Sequence, residues 1–177
     1  MKANIVLEDI GSNAWEKYAG HIMQLENTYP ESMRSTEDDM AYILDSEKKV
    51  AKIAFSGNEC LGAIIGFHVA PEDYDYYGLS GIPEGAKVIY LMNMVVNPKY
   101  RGMGFGRMLL NEFIKDSRKN EFHVIAGHFR QSSSLNAFRK SGGVEKAVFS
   151  NWEGSGEDFV LCYLNLFGMT QSLPVPA

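Results

Sequence analysis

The stretch V-V-N-P-K-Y-R-G-M-G-F-G-R-M-L-L, Val95 to Leu110, decides the fold. Three glycines, Gly102, Gly104 and Gly106, stand at every second position between an apolar β-rich run and an apolar helical pattern. Glycine admits positive φ and has no Cβ to hold a ligand away from the backbone. A helix that begins directly after such a turn aims unpaired N–H groups and its positive dipole end at the same small volume. The stretch therefore reads as an anion site, most naturally for a phosphate or diphosphate. Arg101 and Arg107 add charge at its two ends. The spacing is not the G-x-G-x-x-G of a dinucleotide fold, and no G-K-[ST] follows, as a nucleoside-triphosphate loop requires.

Working outward, Val88 to Val96 is a continuous apolar run, which predicts a central strand buried on both faces. Upstream, Ile5 to Asp9 reads as a strand. Trp15 to Glu26 reads as a helix, with Trp15, Tyr18, Ile22 and Leu25 at helical spacing. Ser35 to Asp38 predicts a capping box and a second helix running to about Asp45. Val50–Phe55 and Leu61–Val69 predict a hairpin. Pro71 to Ala86 is a long polar connection rich in tyrosine and acids. Downstream, Arg107 to about Ser117 predicts a helix and Phe122 to Phe129 a strand. Ser132 to Ser141 reads as a short helix ended at Gly142-Gly143. Val144–Phe149 and Phe159–Leu166 close the pattern as strands. The expectation is an α/β (α+β) fold, a mixed, mostly antiparallel sheet of about seven strands flanked by about four helices. One domain is expected over 1–168, with a frayed tail over 169–177.

Composition narrows the function. A chain of 177 residues with 45% hydrophobic and 22% charged residues is an ordinary single globular unit. A net charge of −5 offers no phosphate-tracking basic face, so nucleic acid is not expected as a partner. No run approaches the roughly 18 apolar residues of a membrane span, and acids interrupt the N-terminal segment where a secretory signal would be apolar. Cytoplasmic location is the expectation. Cys60 and Cys162 lie in separate apolar runs and read as buried thiols. Neither they nor His21, His68, His123 and His128 show metal-ligand spacing, so no metal is expected.

The glycine stretch resembles the signature of the GNAT family, the Gcn5-related N-acetyltransferases. Val96-Asn97-Pro98 followed by Arg101-Gly102-Met103-Gly104-Phe105-Gly106 matches the family's V-x-P and [RQ]-x-x-G-x-[GA], and Leu109-Leu110 supply the apolar continuation. Element order agrees from about Ile5 to Leu166. The resemblance implies that the amides from Arg101 to Gly106, with Arg107, hold the pyrophosphate of acetyl-CoA. It also implies that Met94, Val95 and Val96 pair their backbone with the pantetheine arm, and that one of these N–H groups polarises the thioester carbonyl. The implied activity is transfer of an acetyl group to a primary amine by direct attack in a ternary complex. The acceptor is a protein lysine or N-terminus, or a small amine, and assembly as a homodimer is left open. The alternative is an inactive acyl-CoA-binding regulatory module of the same fold.

The second family stretch departs from its pattern. Gln131 to Gly143 aligns on Lys140 and Gly142, which puts Phe138 where the family carries a tyrosine that protonates the departing thiolate. Phe138 can only pack beside the cofactor, and Asn136 is the residue here able to hydrogen-bond the pantetheine arm. Either Tyr90, Tyr100 or Tyr163 serves as the substitute phenol, or water protonates the thiolate. An ammonium acceptor must also lose a proton, yet Val88–Val96 holds no carboxylate. Tyr90 and Asn93, its polar members, could hold a water, and Glu26, Glu31, Glu157 or Asp158 could reach in. Single histidines on strands read as neutral, satisfied groups. Glu26, Tyr29 and Glu31, at the joint of the first two helices, are the candidate acceptor contacts, together with the acids and tyrosines of the Pro71–Ala86 connection.

Overall fold

The computed structural model describes residues 4–12 and 14–167; the tail expected at 169–177 lies outside the described residues. The elements run β1 (Ile5–Asp9), α1 (Trp15–Glu26), α2 (Glu37–Asp45), β2 (Lys49–Ser56), β3 (Glu59–Val69), β4 (Val88–Val96), α3 (Phe105–Lys119), β5 (Val124–Arg130), α4 (Ser133–Lys140), β6 (Val144–Phe149) and β7 (Phe159–Asn165). They form one seven-stranded sheet in the order β1-β2-β3-β4-β5-β7-β6. Every neighbouring pair is antiparallel except β4 and β5, which run parallel. The expected class and element order hold.

Two boundaries differ from expectation for physical reasons. The capping box of α2 sits one residue on, with the Thr36 hydroxyl accepting from the Asp39 N–H at 3.1 Å and the Asp39 carboxylate accepting from the Thr36 N–H at 3.3 Å. The Ser35 N–H, which a box starting there would bind reciprocally, donates instead to the Glu26 carboxylate at 2.9 Å. Helix α3 starts at Phe105 rather than Arg107. Phe105 packs its ring against the core and against the edge of Tyr100, which draws the first turn two residues back.

The amphipathic helices cover both faces of the sheet. On one face, Leu109, Leu110 and Phe113 of α3 and Leu135 and Phe138 of α4 pack against Ile64, Ile89, Leu91 and Ile125. Each fully buried side chain of this size contributes about 1.5–3 kcal/mol. On the other face, Tyr18, Ile22 and Leu25 of α1 and Met40 and Leu44 of α2 cover Ile53, Ala63, Ile65 and Val95. A third cluster lies beneath the Pro71–Lys87 connection, around Leu79, Val88, Tyr90, Val124 and Tyr163. This connection is held down: the Tyr163 hydroxyl accepts from the Ser80 N–H at 3.0 Å and donates to its carbonyl at 3.2 Å, and Gly78 lies directly under the Phe149 ring.

One feature of the sheet positions the site. Strands β4 and β5 pair only through Val88–Val124, Ile89–Ile125 and Tyr90–Ala126. Opposite β3, Ile65 pairs with Asn93 and Gly66 with Leu91, leaving Met92 as an extra residue. A bulge of this kind bends and twists its strand. Beyond it β4 diverges from β5, and the second halves of the two strands bound an open wedge.

Candidate active site

The first half of the site is made of backbone. The Asn97 N–H donates to Leu61 C=O at 2.9 Å across to β3. By antiparallel alternation the N–H and C=O of Met94 and Val96 then face away from β3, into the wedge. Two of the carbonyls meet side chains: Met94 C=O accepts from the Tyr29 hydroxyl at 3.3 Å, and Val96 C=O from Arg101 Nε at 3.2 Å. The N–H groups of this strip remain as donors along an open sheet edge.

The glycine turn closes the end of that strip. Gly102 and Gly104 have φ of 78° and 89°, a conformation that excludes most other residues. Gly104 caps α3 with no side-chain hydrogen bond, so the first N–H groups of the helix stay unpaired. Gly106 is different. It is helical, and a Cβ there would meet only Val96 Cγ2 at an ordinary 3.5 Å. The absence of a side chain at 106 leaves this first turn of the helix open to close approach from outside. Arg107 also lines a separate groove of about 500 Å³ between α3 and α4, which Arg118, Lys140 and Asn136 share. A cationic trough thus continues from an N–H cradle. The arrangement suits a long ligand with a diphosphate near its middle and further anionic charge at one end.

The second half is made of side chains. A cavity of about 720 Å³ opens at the wedge and is walled by α1, the α1–α2 joint, the β3–β4 connection, β4, β5 and the β6–β7 segment. Its most buried polar group is Glu26, at 1% exposure. One Glu26 oxygen accepts from the Asn93 side-chain amide and the other from the Ser35 N–H. Burial pushes its pKa up, against the lowering effect of these hydrogen bonds. Tyr29 brings its hydroxyl to 3.3 Å from Asn93 Oδ1, and burial raises its phenol pKa strongly. The bulge at Met92 is what turns Asn93 to the Tyr90 face of the strand. Asn93 thereby joins β4 to the helical joint.

Across the cavity, the Tyr90 hydroxyl lies 2.8 Å from His128 Nδ1. Burial pushes the phenol up and lowers the imidazole to about 4. These two rings belong to a continuous wall: Tyr77 packs on Tyr90 at 4.7 Å, Trp152 stacks on His128 at 3.8 Å, and Phe67 and Phe149 fill the flanks. Burial raises the Tyr77 phenol, and the charges of Asp73 and Glu153 at the rim add to it. Neither makes an ion pair among the described residues.

The residues expected from sequence divide accordingly. Tyr90, Asn93, Glu26 and Tyr29 come together in the cavity, and Met94 reaches it from the strand strip. Tyr163 does not line it, since its hydroxyl is committed to Ser80. Tyr100 bonds the Glu59 carboxylate instead. Glu31 is exposed on a short turn outside the cavity. Glu157 pairs with Arg130 at 3.5 Å, and Asp158 accepts from the Asn151 N–H at 3.2 Å. Phe138 is fully buried with its ring on Phe129 at 4.6 Å, and any Cβ at Gly143 would overlap it. Asn136 accepts from Arg139 at 3.3 Å and faces the α3–α4 groove rather than the wedge. Sequence reading missed His128 and Trp152. The pairing of β4 with β5 is the signal that could have set His128 near Tyr90, but a parallel register is not legible in one chain.

No curated protein matches the sequence. Among solved structures, the chain is similar to Arabidopsis thaliana Naa50 bound to the bisubstrate analogue CoA-Ac-MVNAL, at 20% identity and a TM-score of 0.69, covering 91% of this chain and 98% of that one. It is similar to an Escherichia coli ribosomal-protein alanine N-acetyltransferase at 18% identity and TM-score 0.68, covering 96% and 99%. A mosquito arylalkylamine N-acetyltransferase-like protein aligns at 17% identity and TM-score 0.66, covering 92% and 100%. At such identities the likeness speaks for the fold alone. The sequence model of the Acetyltransferase (GNAT) family matches residues 17–142, most of the chain and the whole run from α1 through the glycine turn to the end of α4, and on that match the protein belongs to the GNAT family.

Proposed function

We propose that the protein is an acetyl-CoA-dependent N-acetyltransferase acting on a primary amine, on a protein or a small molecule, by direct transfer without a covalent enzyme intermediate. The observation that carries this reading is the uncapped N-terminus of α3 behind the left-handed Gly102 and Gly104, at the end of a strand strip that leads into a polar cavity. Acetyl-CoA supplies a thioester carbon already activated toward amines. The N–H groups of Arg101–Gly106 would hold its diphosphate, the Met94–Val96 edge its pantetheine arm, and the α3–α4 groove with Arg107, Arg118 and Lys140 its remaining phosphate.

The rest of the chemistry falls to the cavity. The acceptor arrives as a cation and must lose a proton. Glu26 is the group suited to take it, directly or through a water. Each of its oxygens accepts one protein hydrogen bond and keeps lone-pair capacity for another. Its raised pKa makes it a stronger base than an exposed carboxylate. Asn93 and Ser35 hold that carboxylate, while Tyr29 ties Asn93 to the strand edge. The ring wall receives the cationic acceptor through its π-faces, with Asp73 and Glu153 drawing it to the mouth. Release of the thiolate is left to water or to the Tyr29 phenol, because Phe138 is sealed in the core. The inactive-module reading has less support, since the Glu26 carboxylate that ties Ser35 to Asn93 also keeps lone-pair capacity beside the wedge.

The test is CoA release with acetyl-CoA and four acceptors: phenethylamine, 1,4-diaminobutane, a peptide with a free N-terminus and a peptide bearing one free lysine. Turnover of at least one is expected. Tight acetyl-CoA binding with no turnover of any would favour the regulatory module.

A further inference from the structure

The turn between β6 and β7 is strained where it meets the cavity. Asn151 has φ of 50° and ψ of 47°, and Glu153 φ of 50° and ψ of 28°, both left-handed and neither glycine. Conformations like these persist only where the surroundings enforce them. Here the Gly156 N–H donates to Asn151 Oδ1 at 2.7 Å, the Asn151 N–H to Asp158 at 3.2 Å, and the Trp152 N–H to Glu157 C=O at 3.1 Å. The residue held between the two strained positions is Trp152. Its indole lies parallel to the His128 imidazole, with 3.8 Å between centroids and 12° between planes. Phe149 closes the imidazole edge-on at 4.9 Å.

His128 is thereby covered on its Trp152 face, and its Nε2 is buried with no partner among the described residues. Its Nδ1 is used by Tyr90. We propose that Trp152 is a positioning residue that keeps the Tyr90–His128 pair dry and uncharged, so that this wall of the cavity accepts a cationic amine without repelling it. The inference rests on the acetyltransferase reading above. A protonated imidazole in the wall would oppose the acceptor's own charge at short range.

The groups around His128 agree with this role. Tyr90 of β4 and Tyr77 behind it are phenols held neutral by burial. On β7 the residue paired with His128 is Leu161, and from β6 Phe149 packs edge-on against its ring. Arg130, two residues along β5, is paired with Glu157. Glu153 and Asp73 are the rim acids; beside burial, the charge of Glu153 raises the Tyr90 and Tyr77 phenols and that of Asp73 raises Tyr77. The lowering of His128 to about 4 comes from burial alone. Removing what buries it is therefore the direct test.

The experiment compares wild type, Trp152→Ala and Trp152→Phe by two readouts. One is NMR titration of His128, assigned with His128→Gln. The other is the Kd of phenethylamine or 1,4-diaminobutane, whichever the wild type acetylates faster, on the CoA complex at pH 8 and pH 6. The wild-type imidazole is expected to stay uncharged down to pH 5.5, with amine affinity alike at both pH values. In Trp152→Ala the imidazole should titrate near its ordinary value of about 6.5. Amine binding should then weaken about fivefold on going from pH 8 to pH 6, and Trp152→Phe should restore wild-type behaviour. Trp152→Leu serves the same comparison if the alanine variant does not fold. A variant imidazole that still fails to titrate overturns the proposal, as does one that titrates without any change in the pH dependence of amine binding. A wild type that acetylates no amine would strike the activity reading alone, because the titration judges the turn without an acceptor.

Discussion

The two halves of the cleft are built in opposite ways. The cradle from Met94 to Arg107 is one contiguous segment that works through backbone N–H groups, and its side chains matter mainly by being absent. The acceptor cavity draws Glu26, Tyr29, Asp73, Tyr90, Asn93, His128 and Trp152 from five separate parts of the chain, and it works through side-chain charge, burial and ring faces. A backbone site needs only local conformation, so it can be specified by a short motif. A side-chain site needs tertiary placement, so no short motif encodes it. The first half can serve any acyltransferase of the fold, while the second is where one protein differs from another.

Four substitutions sharpen or break this contrast. The largest effect is expected from Glu26→Gln, which keeps the shape and removes the base: kcat should fall about a hundredfold. Burial raises the Glu26 pKa, so wild-type activity should decline on acidification at a pH above the ordinary carboxylate value of about 4.3. That acid limb should vanish in the variant. A kcat within threefold of wild type would remove Glu26 from the chemistry.

Gly106→Val comes next and tests the backbone half. A Cβ there meets only Val96 at 3.5 Å, so thermal stability should hold. The acetyl-CoA Kd should rise at least tenfold, about 1.4 kcal/mol. An unchanged Kd in the folded variant would show that no ligand approaches this N–H. A smaller loss, about fivefold in kcat/KM, is expected for Tyr90→Phe, which strips a buried hydrogen bond of about 1 kcal/mol from His128. Equal activity would place the ring wall outside the acceptor site. Phe138→Tyr should change kcat least, by less than about threefold. The ring is fully buried, so the added hydroxyl should instead lower stability by about 1–3 kcal/mol, visible as a reduced Tm. A large gain in kcat would mean the position still addresses the thiolate.

Much of this was legible in the chain. The strand through Val88–Val96, the order of eleven elements, the glycine turn and the resemblance it carries are all local patterns of period, cap and breaker. Local sterics and hydrogen bonding determine them wherever the chain goes next. Phe138 could also be read as a packing residue from its chemistry alone. Tyr163 could not be placed. A tyrosine on a strand near the C-terminus reads the same whether its hydroxyl faces a cleft or, as here, pins Ser80. Glu31 and Glu26 look equivalent in sequence, five residues apart in one acidic joint, yet one is exposed and the other buried. His128 reads in sequence as a satisfied strand histidine, and it is neutral, but among the described residues only one of its nitrogens has a partner.

By itself, then, the sequence determined the elements, their order and the anion cradle, because helix starts, strand runs and glycine turns are set by neighbours within a few residues. Tertiary structure alone decided where β4 parts from β5, which face Asn93 takes beyond the bulge, and which carboxylate is stripped of water beside the wedge. Those outcomes depend on contacts between segments as much as 67 residues apart, as between Glu26 and Asn93. A pKa, a cavity or a ring stack is a property of the packed whole, since burial, which sets all three, does not exist until the chain has folded.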